Sequence, residues 1–352
     1  MTNILIINLG STSSKVGFFQ NETCISIETI QHDLNISQKP LLEQQSYRID
    51  TIKSFIEANT PGMESIDAIA CRGGLLKPIA GGTYQVNTKM YEDLTSFKYG
   101  EHASNLSGII GYKLGALLKV PVFIVDPVVV DELMDIARLT GIKGIQRRSV
   151  FHALNQKAVA RQYAKSIHST YDKVNVIVVH MGGGITVGAH KHGKVVDVNE
   201  GLYGEGPMSP ERAGSIPNEL LYEFGMQHQF SLEQLKHFIS KQAGIINLCS
   251  TNSIKQLVEQ YESNTEIKLI LDSMIYQIAK TIGERAVVFK GDIDQIIITG
   301  GIAYSPLITS KIQAYVEWIA PVSVYPGELE MEALATQVYE AVHLREEVKI
   351  YS

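Results

Sequence analysis

Three turns built from small residues stand out for what their backbones could hold. The first is Asn8-Leu9-Gly10-Ser11-Thr12-Ser13-Ser14-Lys15. Gly10 permits a tight turn, the hydroxyls of Ser11 and Ser13 with neighbouring N–H groups can wrap an anion, and Lys15 would add a point charge. The second is His180-Met181-Gly182-Gly183-Gly184. Its glycines Gly182, Gly183 and Gly184 let bare N–H groups come close to phosphate oxygens. The third is Thr299-Gly300-Gly301-Ile302-Ala303. One glycine turn is usually only a turn. Three of them, each closing an apolar run, point to a ligand that carries phosphates.

Charged residues stand close to these turns or at other strand ends. Arg72 lies in Cys71-Arg72-Gly73-Gly74, Arg212 in Ser209-Pro210-Glu211-Arg212-Ala213-Gly214, and Asp126 closes the run Val122 to Val125. His152 follows Phe151, and Glu328 and Glu330 follow Pro326-Gly327. Phosphoryl transfer uses such a set: cations for the equatorial oxygens, a carboxylate for Mg²⁺ and N–H groups for the phosphate chain. Each residue also has a plainer reading. A strand-end Asp caps helices and turns, an Arg pairs on the surface, and a His is satisfied in a core. The chain has no GxxxxGK[ST], no GxGxxG after a strand, no HExxH, no GxSxG and no protein-kinase signature, which removes several enzyme classes.

The elements that must position these residues alternate in type. Strands are predicted over Ile4 to Ile7, Val16 to Phe19, Ile66 to Ala70 (with Cys71 to Gly74 as exit turn), Val122 to Val125, Val176 to Val179, Val187 to Ala189, Lys194 to Val198 and Ile293 to Ile298. Helical periodicity runs over His102 to Lys119, Val150 to Tyr163, Ile267 to Phe289 and Glu332 to Arg345. Laying Ile4 on Val176, an offset of 172 residues, puts Asn8 on His180 and Gly10 on Gly182. A long-period duplication of an α/β domain follows, each copy opening with a turned hairpin.

With 352 residues, 45% of them hydrophobic, about two domains are expected. A net charge of -6 implies neither a nucleic-acid nor an anionic-membrane partner. Cys24, Cys71 and Cys249 form no ligand pattern and are expected as buried small hydrophobes in a reducing cytoplasm. The opening MTNILIINLG lacks a basic n-region, and no stretch approaches the roughly 18 apolar residues of a membrane span.

Taken together, these segments resemble the acetate and sugar kinase, heat-shock chaperone and actin superfamily, within it the acyl kinases of the acetokinase family, and among these the butyrate kinases in particular. The resemblance rests on INLGSTSSK from Ile7, RGGLLKPIAGG from Arg72, GEHASNL from Gly100, VDPVVVDEL from Val125 and SVFHALNQKAVAR from Ser149. HMGGG from His180, MSPERAGSIP from Met208 and TGGIA from Thr299 complete it. These motifs follow the family's order and span nearly the whole chain.

The resemblance implies a duplicated two-domain α/β fold of the ribonuclease H-like, actin-like ATPase type, with an interdomain cleft. The domains would be 1–128 with 331–352, for acyl group and phosphate, and 129–330 for nucleotide. It implies ATP and Mg²⁺, direct phosphoryl transfer to butanoate, and a homo-oligomer of two or more chains. Asp126, His152 and Arg212 would be catalytic, with Arg72, His102 and Phe151 at the carboxylate substrate. Asn8 and Glu330 would serve Mg²⁺. Ser11, Ser13, Lys15, His180, Gly182, Gly183, Gly184, Gly300, Gly301, Ile302 and Ala303 would serve the nucleotide. Two departures bear on selectivity: Arg72 abuts Gly73 instead of preceding the paired glycines by several residues, and Asn252-Ser253-Ile254 stands where an Asp-x-Arg motif is common. The alternatives are a kinase for acetate, propionate or 2-methylpropanoate, and a non-catalytic nucleotide-gated binding module.

Overall fold

The computed structural model describes residues 1–352. Contacts divide it into two units, Met1–Val130 with Leu329–Ser352, and Asp131–Glu328.

The first unit is built on seven strands: β1 Asn3–Leu9, β2 Ser13–Gln20, β3 Thr23–Gln31, β4 Ala68–Arg72, β5 Thr83–Gln85, β6 Val122–Val125 and, numbered last in the chain, β12 Val348–Ile350. Their order across the sheet is β12-β5-β6-β4-β1-β2-β3. The second unit holds β7 Asn175–Met181, β8 Ile185–Lys191, β9 Lys194–Val198, β10 Gln295–Gly300 and β11 Val322–Pro326, in the order β11-β10-β7-β8-β9. Each unit thus has an antiparallel three-strand meander whose first strand continues into parallel neighbours. That shared order is the duplicated actin-like ATPase fold expected from the sequence.

The offset of 172 residues holds in detail. It carries the ends of β1 onto the ends of β7 and the start of β2 onto the start of β8. The likeness of β1 and β7 also extends to a tether that no motif reveals, although its acids, Asp67 and Asp294, do not fall on that offset. Asn3 donates its N–H to Asp67 Oδ2 at 2.7 Å, and Asp67 returns its N–H to the Asn3 carbonyl at 2.9 Å. Asn175 and Asp294 repeat the exchange at 2.7 and 2.8 Å. In each unit the first strand is thereby locked to its parallel partner at the entrance end.

Burial explains why the central strands read as unbroken apolar runs. Ile4 to Ile7 and Val176 to Val179 are fully buried, as strands covered on both faces must be. One cluster centred on Leu5, Ile7, Ile109 and Ile124 forms the first core, and one centred on Ile177, Val179, Ile278 and Ile298 the second. The helices Asn105–Leu118, Ala153–Ser166, Thr265–Ala286 and Glu330–Val342 cover the sheets; no helix is long and apolar enough to cross a membrane.

Three expectations need correction. Cys71 and Arg72 belong to β4 and not to an exit turn, because pairing with β1 continues to Cys71 and pairing with β6 to Arg72. His102 and His152 precede their helices, which start at Asn105 and Ala153. Cys24 is exposed, near the start of the edge strand β3, whereas Cys71 is buried and its thiol is pushed well up by that burial.

Candidate active site

Register assembles the first group of residues. In the first unit, Ile7 pairs with Cys71 and Arg72 with Val125. Asn8, Arg72 and Asp126 therefore emerge side by side at the carboxyl ends of β1, β4 and β6, where open α/β sheets bind ligands. Asn8 Nδ2 donates to Glu330 Oε2 at 2.8 Å. Arg72 Nη1 lies 3.6 Å from the same oxygen and 3.5 Å from Asn8 Oδ1. Glu330 is buried in the first turn of its helix. Lys15 stands opposite Asn8 in the β1–β2 register. Ser11 is exposed in the turn between those strands, and Ser13 is half-buried. His102 is exposed, and its Nδ1 accepts the Ser104 N–H at 3.2 Å.

Asp126 is 1% exposed and holds φ +38°, a left-handed conformation uncommon outside glycine. Gly82 is what sustains it. Asp126 Oδ1 accepts the Gly82 N–H at 2.7 Å, and the Asp126 N–H donates to the Gly82 carbonyl at 3.1 Å. A strained residue clamped in both directions is a pattern seen at functional sites.

In the second unit, His180 sits next to the end of β7 and is buried. Asn155 Nδ2 spans its Nδ1 at 2.9 Å and Thr299 Oγ1 at 3.3 Å. With Nδ1 accepting, the His180 proton is on Nε2, which lies 3.7 Å from Glu328 Oε1. The His152 ring stacks on His180, and its Nδ1 is 2.9 Å from Thr186 Oγ1.

Behind Thr186 runs a chain of partners that closes in one way. Tyr171 O–H meets His190 Nδ1 at 2.8 Å, His190 Nε2 meets Gln156 Oε1 at 3.0 Å, and Gln156 Nε2 donates to the Thr186 carbonyl and hydroxyl at 3.0 and 2.8 Å. Both Gln156 N–H donors are then used, so Gln156 Oε1 accepts from His190, and His190 Nδ1 accepts from Tyr171. The Thr186 hydrogen is left for His152 Nδ1, which fixes the His152 proton on Nε2. His190 is held neutral: burial pushes its pKa well below the ordinary value, and Lys157 and Arg161 add to the effect.

Arg212 occupies the space a side chain would take at Gly184. A Cβ there would overlap the guanidinium. Arg212 Nη1 donates to the Gly201 carbonyl, and Nε is buried with no partner. Burial lowers its pKa from the ordinary value while Glu211 and Glu200 hold it up; an arginine remains charged throughout. The segment that brings Glu200 here is fixed by Arg147, which bonds Asp197 at 2.8 Å and Glu205 at 2.7 Å. Burial raises the Glu200 carboxyl, with Glu205 acting the same way and the Tyr203 N–H, Arg148 and Arg212 opposing.

The turn itself is shaped for close approach. Gly182 N–H donates to the Gly184 carbonyl at 3.0 Å, and Gly183 is exposed. Gly300 holds φ +93°, and any Cβ there would meet the backbone of Met181. Gly301 has open space beside it, whereas Ile302 and Ala303 are buried in the core. The third turn thus offers a ligand Gly301 and backbone, not the side chains of Ile302 and Ala303. Phe151 is buried, 3% exposed. Asn252, in the departure from Asp-x-Arg, donates to Glu211 Oε1 at 3.1 Å, and the Glu211 N–H reaches the Gly183 carbonyl.

The structure therefore joins Asn8, Arg72, Glu330 and Lys15 in one unit, and His152, His180, Arg212 and the glycine triplet in the other. Sequence reasoning missed Thr186, Asn155, Gln156, His190 and Glu200. Asn155 and Gln156 had a signal, standing three and four residues after His152, the spacing of one helical face.

Comparison with known proteins follows the same lines. The family model described as Acetokinase family matches residues 135–315, more than half of the chain. A propionate kinase structure from Francisella tularensis subsp. tularensis SCHU S4 aligns with a TM-score of 0.78 at 18% identity, covering 96% of this chain and 99% of the other. The Porphyromonas gingivalis acetate kinase aligns at 0.79 and 16%, covering 97% and 100%. The Entamoeba histolytica acetate kinase aligns at 0.75 and 17%, covering 97% and 99%.

Proposed function

The chain belongs to the acetokinase family, and from that premise we propose that it transfers the γ-phosphoryl group of ATP to butanoate, giving butanoyl phosphate and ADP, reversibly. The observation that carries phosphoryl transfer is the packing of Arg212 into the side-chain space of Gly184, in the unit where His152 stacks on His180. A fixed guanidinium and an Nε2–H donor beside bare glycine N–H groups match the charge that spreads over a transferring phosphoryl group.

A carboxylate oxygen of butanoate attacks the γ-phosphorus, the bond from that phosphorus to the ADP oxygen breaks, and ADP leaves with the electron pair. No proton has to be removed, because a carboxylic acid is ionised near pH 7. Asp126 is accordingly read as a positioning carboxylate and not a general base. Arg72, at the carboxyl end of β4, is assigned to the acyl carboxylate. The butanoate assignment is supported by the resemblance of the quoted motifs, from Ile7–Lys15 to Thr299–Ala303, taken together, to the butyrate kinases.

For Mg²⁺, the buried carboxylate of Glu330 and the carboxamide oxygen of Asn8 are a hard oxygen pair. Two protein oxygens suit an ion that keeps most of its water and takes the rest of its shell from phosphates. When bound, the ion would neutralise phosphate charge; Asn8 and Glu330 would hold it, and Arg72, 3.6 Å from Glu330 Oε2, would help orient that carboxylate.

The test is an acyl-hydroxamate assay with ATP, Mg²⁺ and acetate, propionate, butanoate and 2-methylpropanoate. Butanoate is expected to give the highest kcat/KM, with neighbours differing by about 1–3 kcal/mol per methylene. A higher value for another acid reassigns the substrate. No product with any acid would favour a nucleotide-gated binding module.

A further inference from the structure

A charged side chain that the proposed mechanism does not use lies beneath the first turn. Arg48, on the helix Gln45–Asn59, is 0% exposed. Its five N–H donors are all satisfied. Nη1 donates to the Ser13 carbonyl and Ser14 Oγ at 3.2 Å each, and Nη2 to the Ser11 carbonyl at 3.2 Å. Nε and Nη2 grip Gln44 Oε1 at 3.2 and 2.9 Å. Every one of these acceptors is neutral. No carboxylate lies within ion-pair range, and the only neighbour that favours its charge is the phenol of Tyr47.

A buried guanidinium without an anion is unusual, because buried charges are ordinarily paired. Arginine does not escape by losing its proton. The nearby imidazole yields instead: His32 Nε2 lies 2.8 Å from Ser14 Oγ, and burial with Arg48 pushes its pKa below the ordinary value. A single net positive charge therefore stays beneath Ser11 to Ser14. It contacts carbonyl oxygens, and in a trans peptide the N–H of the following residue points the other way. The Thr12 N–H, sharing a peptide with the Ser11 carbonyl, is thus turned away from Arg48, and both Ser11 and Thr12 are exposed.

We propose that Arg48 is the fixed countercharge of the first phosphate turn, a positioning residue whose missing anion is the phosphate chain of the nucleotide. It does not touch the ligand; it polarises the peptides that do and holds the turn in shape. The inference rests on the reading that Ser11 to Lys15 binds nucleotide phosphates. It predicts that anything supplying Arg48 with an internal anion weakens nucleotide binding even while the turn stays pinned.

Gln44→Glu makes that change with one atom. The carboxylate can keep both bonds to Arg48 and cancels its charge. It gives up the hydrogen bonds that Gln44 Nε2 donates to the Lys39 carbonyl at 2.8 Å and, more weakly, to the Ser37 carbonyl at 3.5 Å. Titration calorimetry with MgADP, MgATP and adenosine on the full chain reads the outcome, with circular dichroism and melting as checks on folding. Wild type must first bind MgADP; absence of binding would overturn the functional reading itself. In Gln44→Glu the Kd for MgADP is expected to rise about tenfold, or about 1.4 kcal/mol, with a larger rise for MgATP and none for adenosine. Arg48→Lys, which keeps charge and loses geometry, should stay closer to wild type than Arg48→Gln. Unchanged MgADP affinity in folded Gln44→Glu, or an equal loss for adenosine, would reduce Arg48 to a structural staple. Equal losses in Arg48→Lys and Arg48→Gln would do the same.

Discussion

The imidazole of His152 lies flat on that of His180, with 3.9 Å between ring centroids and 10° between planes. Both rings accept at Nδ1 from neutral donors, Thr186 for one and Asn155 for the other. Both consequently present Nε2–H as a donor. The stack is thus not a proton-passing pair but two like-oriented donors in fixed tautomers. Thr186 is the residue on which the His152 tautomer turns. Thr186→Val keeps shape and removes the hydroxyl, and kcat is expected to fall about tenfold or more with KM for ATP little changed, as for a donor that acts chiefly in the transition state. Thr186→Ser should recover most of the rate. Steady-state kinetics on the three proteins checks this; a Thr186→Val enzyme with wild-type kcat would mean that the hydroxyl does not set the working tautomer.

Gly184 and Arg212 should be coupled. Gly184→Ala puts a methyl where the guanidinium lies, and overpacking of this kind costs about 1–3 kcal/mol. In an Arg212→Ala background the three atoms nearest that methyl, all of the guanidinium, are removed, so most of that cost should vanish. A double-mutant cycle by urea unfolding is expected to give a coupling energy of about 1 kcal/mol or more. Arg212→Ala itself should lower kcat by about 10²–10³, the loss typical of one transition-state donor, while remaining folded. Additive effects in the cycle would show that the two do not share space in solution.

Much of this arrangement is readable from residue types, and the unreadable part has a consistent cause. β1, β7 and the glycine turns announce themselves because a doubly covered strand must be apolar and a tight turn needs small residues. The 172-residue offset is visible at Asn8 and His180. The Asn3–Asp67 and Asn175–Asp294 tethers are invisible beforehand, since each joins residues 64 and 119 positions apart. The short strands β5 and β12, of three residues each, carry too little pattern to be seen. Gln156, His190 and Glu200 look like ordinary polar residues until burial makes every donor and acceptor count. Arg48 escapes for the same reason: a helix with little amphipathic patterning gives no hint that one arginine points inward.

Asp126→Asn separates geometry from charge. Asparagine tolerates positive φ better than most residues and can accept the Gly82 N–H through Oδ1, so the melting temperature should change little. Activity is expected to fall by about 10² or more if the carboxylate charge matters. Asp126→Ala should differ by also losing about 1–3 kcal/mol of stability, because the Gly82 N–H would be left buried without an acceptor. Hydroxamate assays beside thermal melts test both, and a fully active Asp126→Asn enzyme would remove Asp126 from the catalytic set.

His190 should make the fold acid-sensitive. Its folded pKa is depressed well below 6.5, first by burial and then by Lys157 and Arg161, whereas in the unfolded chain it titrates near its ordinary value. Below about pH 6.5 the unfolded state therefore binds the extra proton. Stability from this group is fully present above that pH and is lost as pH falls, at about 1.4 kcal/mol per pH unit. His32, also depressed by burial, acts with the same sign. Glu200, raised by burial, acts oppositely: between about pH 4.5 and its raised folded value the folded state binds the extra proton, so acidification adds stability there. The test is therefore a difference. His190→Gln can donate to Gln156 Oε1 and accept from Tyr171 without titrating, so its denaturation midpoint should fall less steeply than that of wild type between pH 6.5 and 5. Parallel slopes in urea titrations at the two pH values would mean that His190 does not stay neutral in the folded protein.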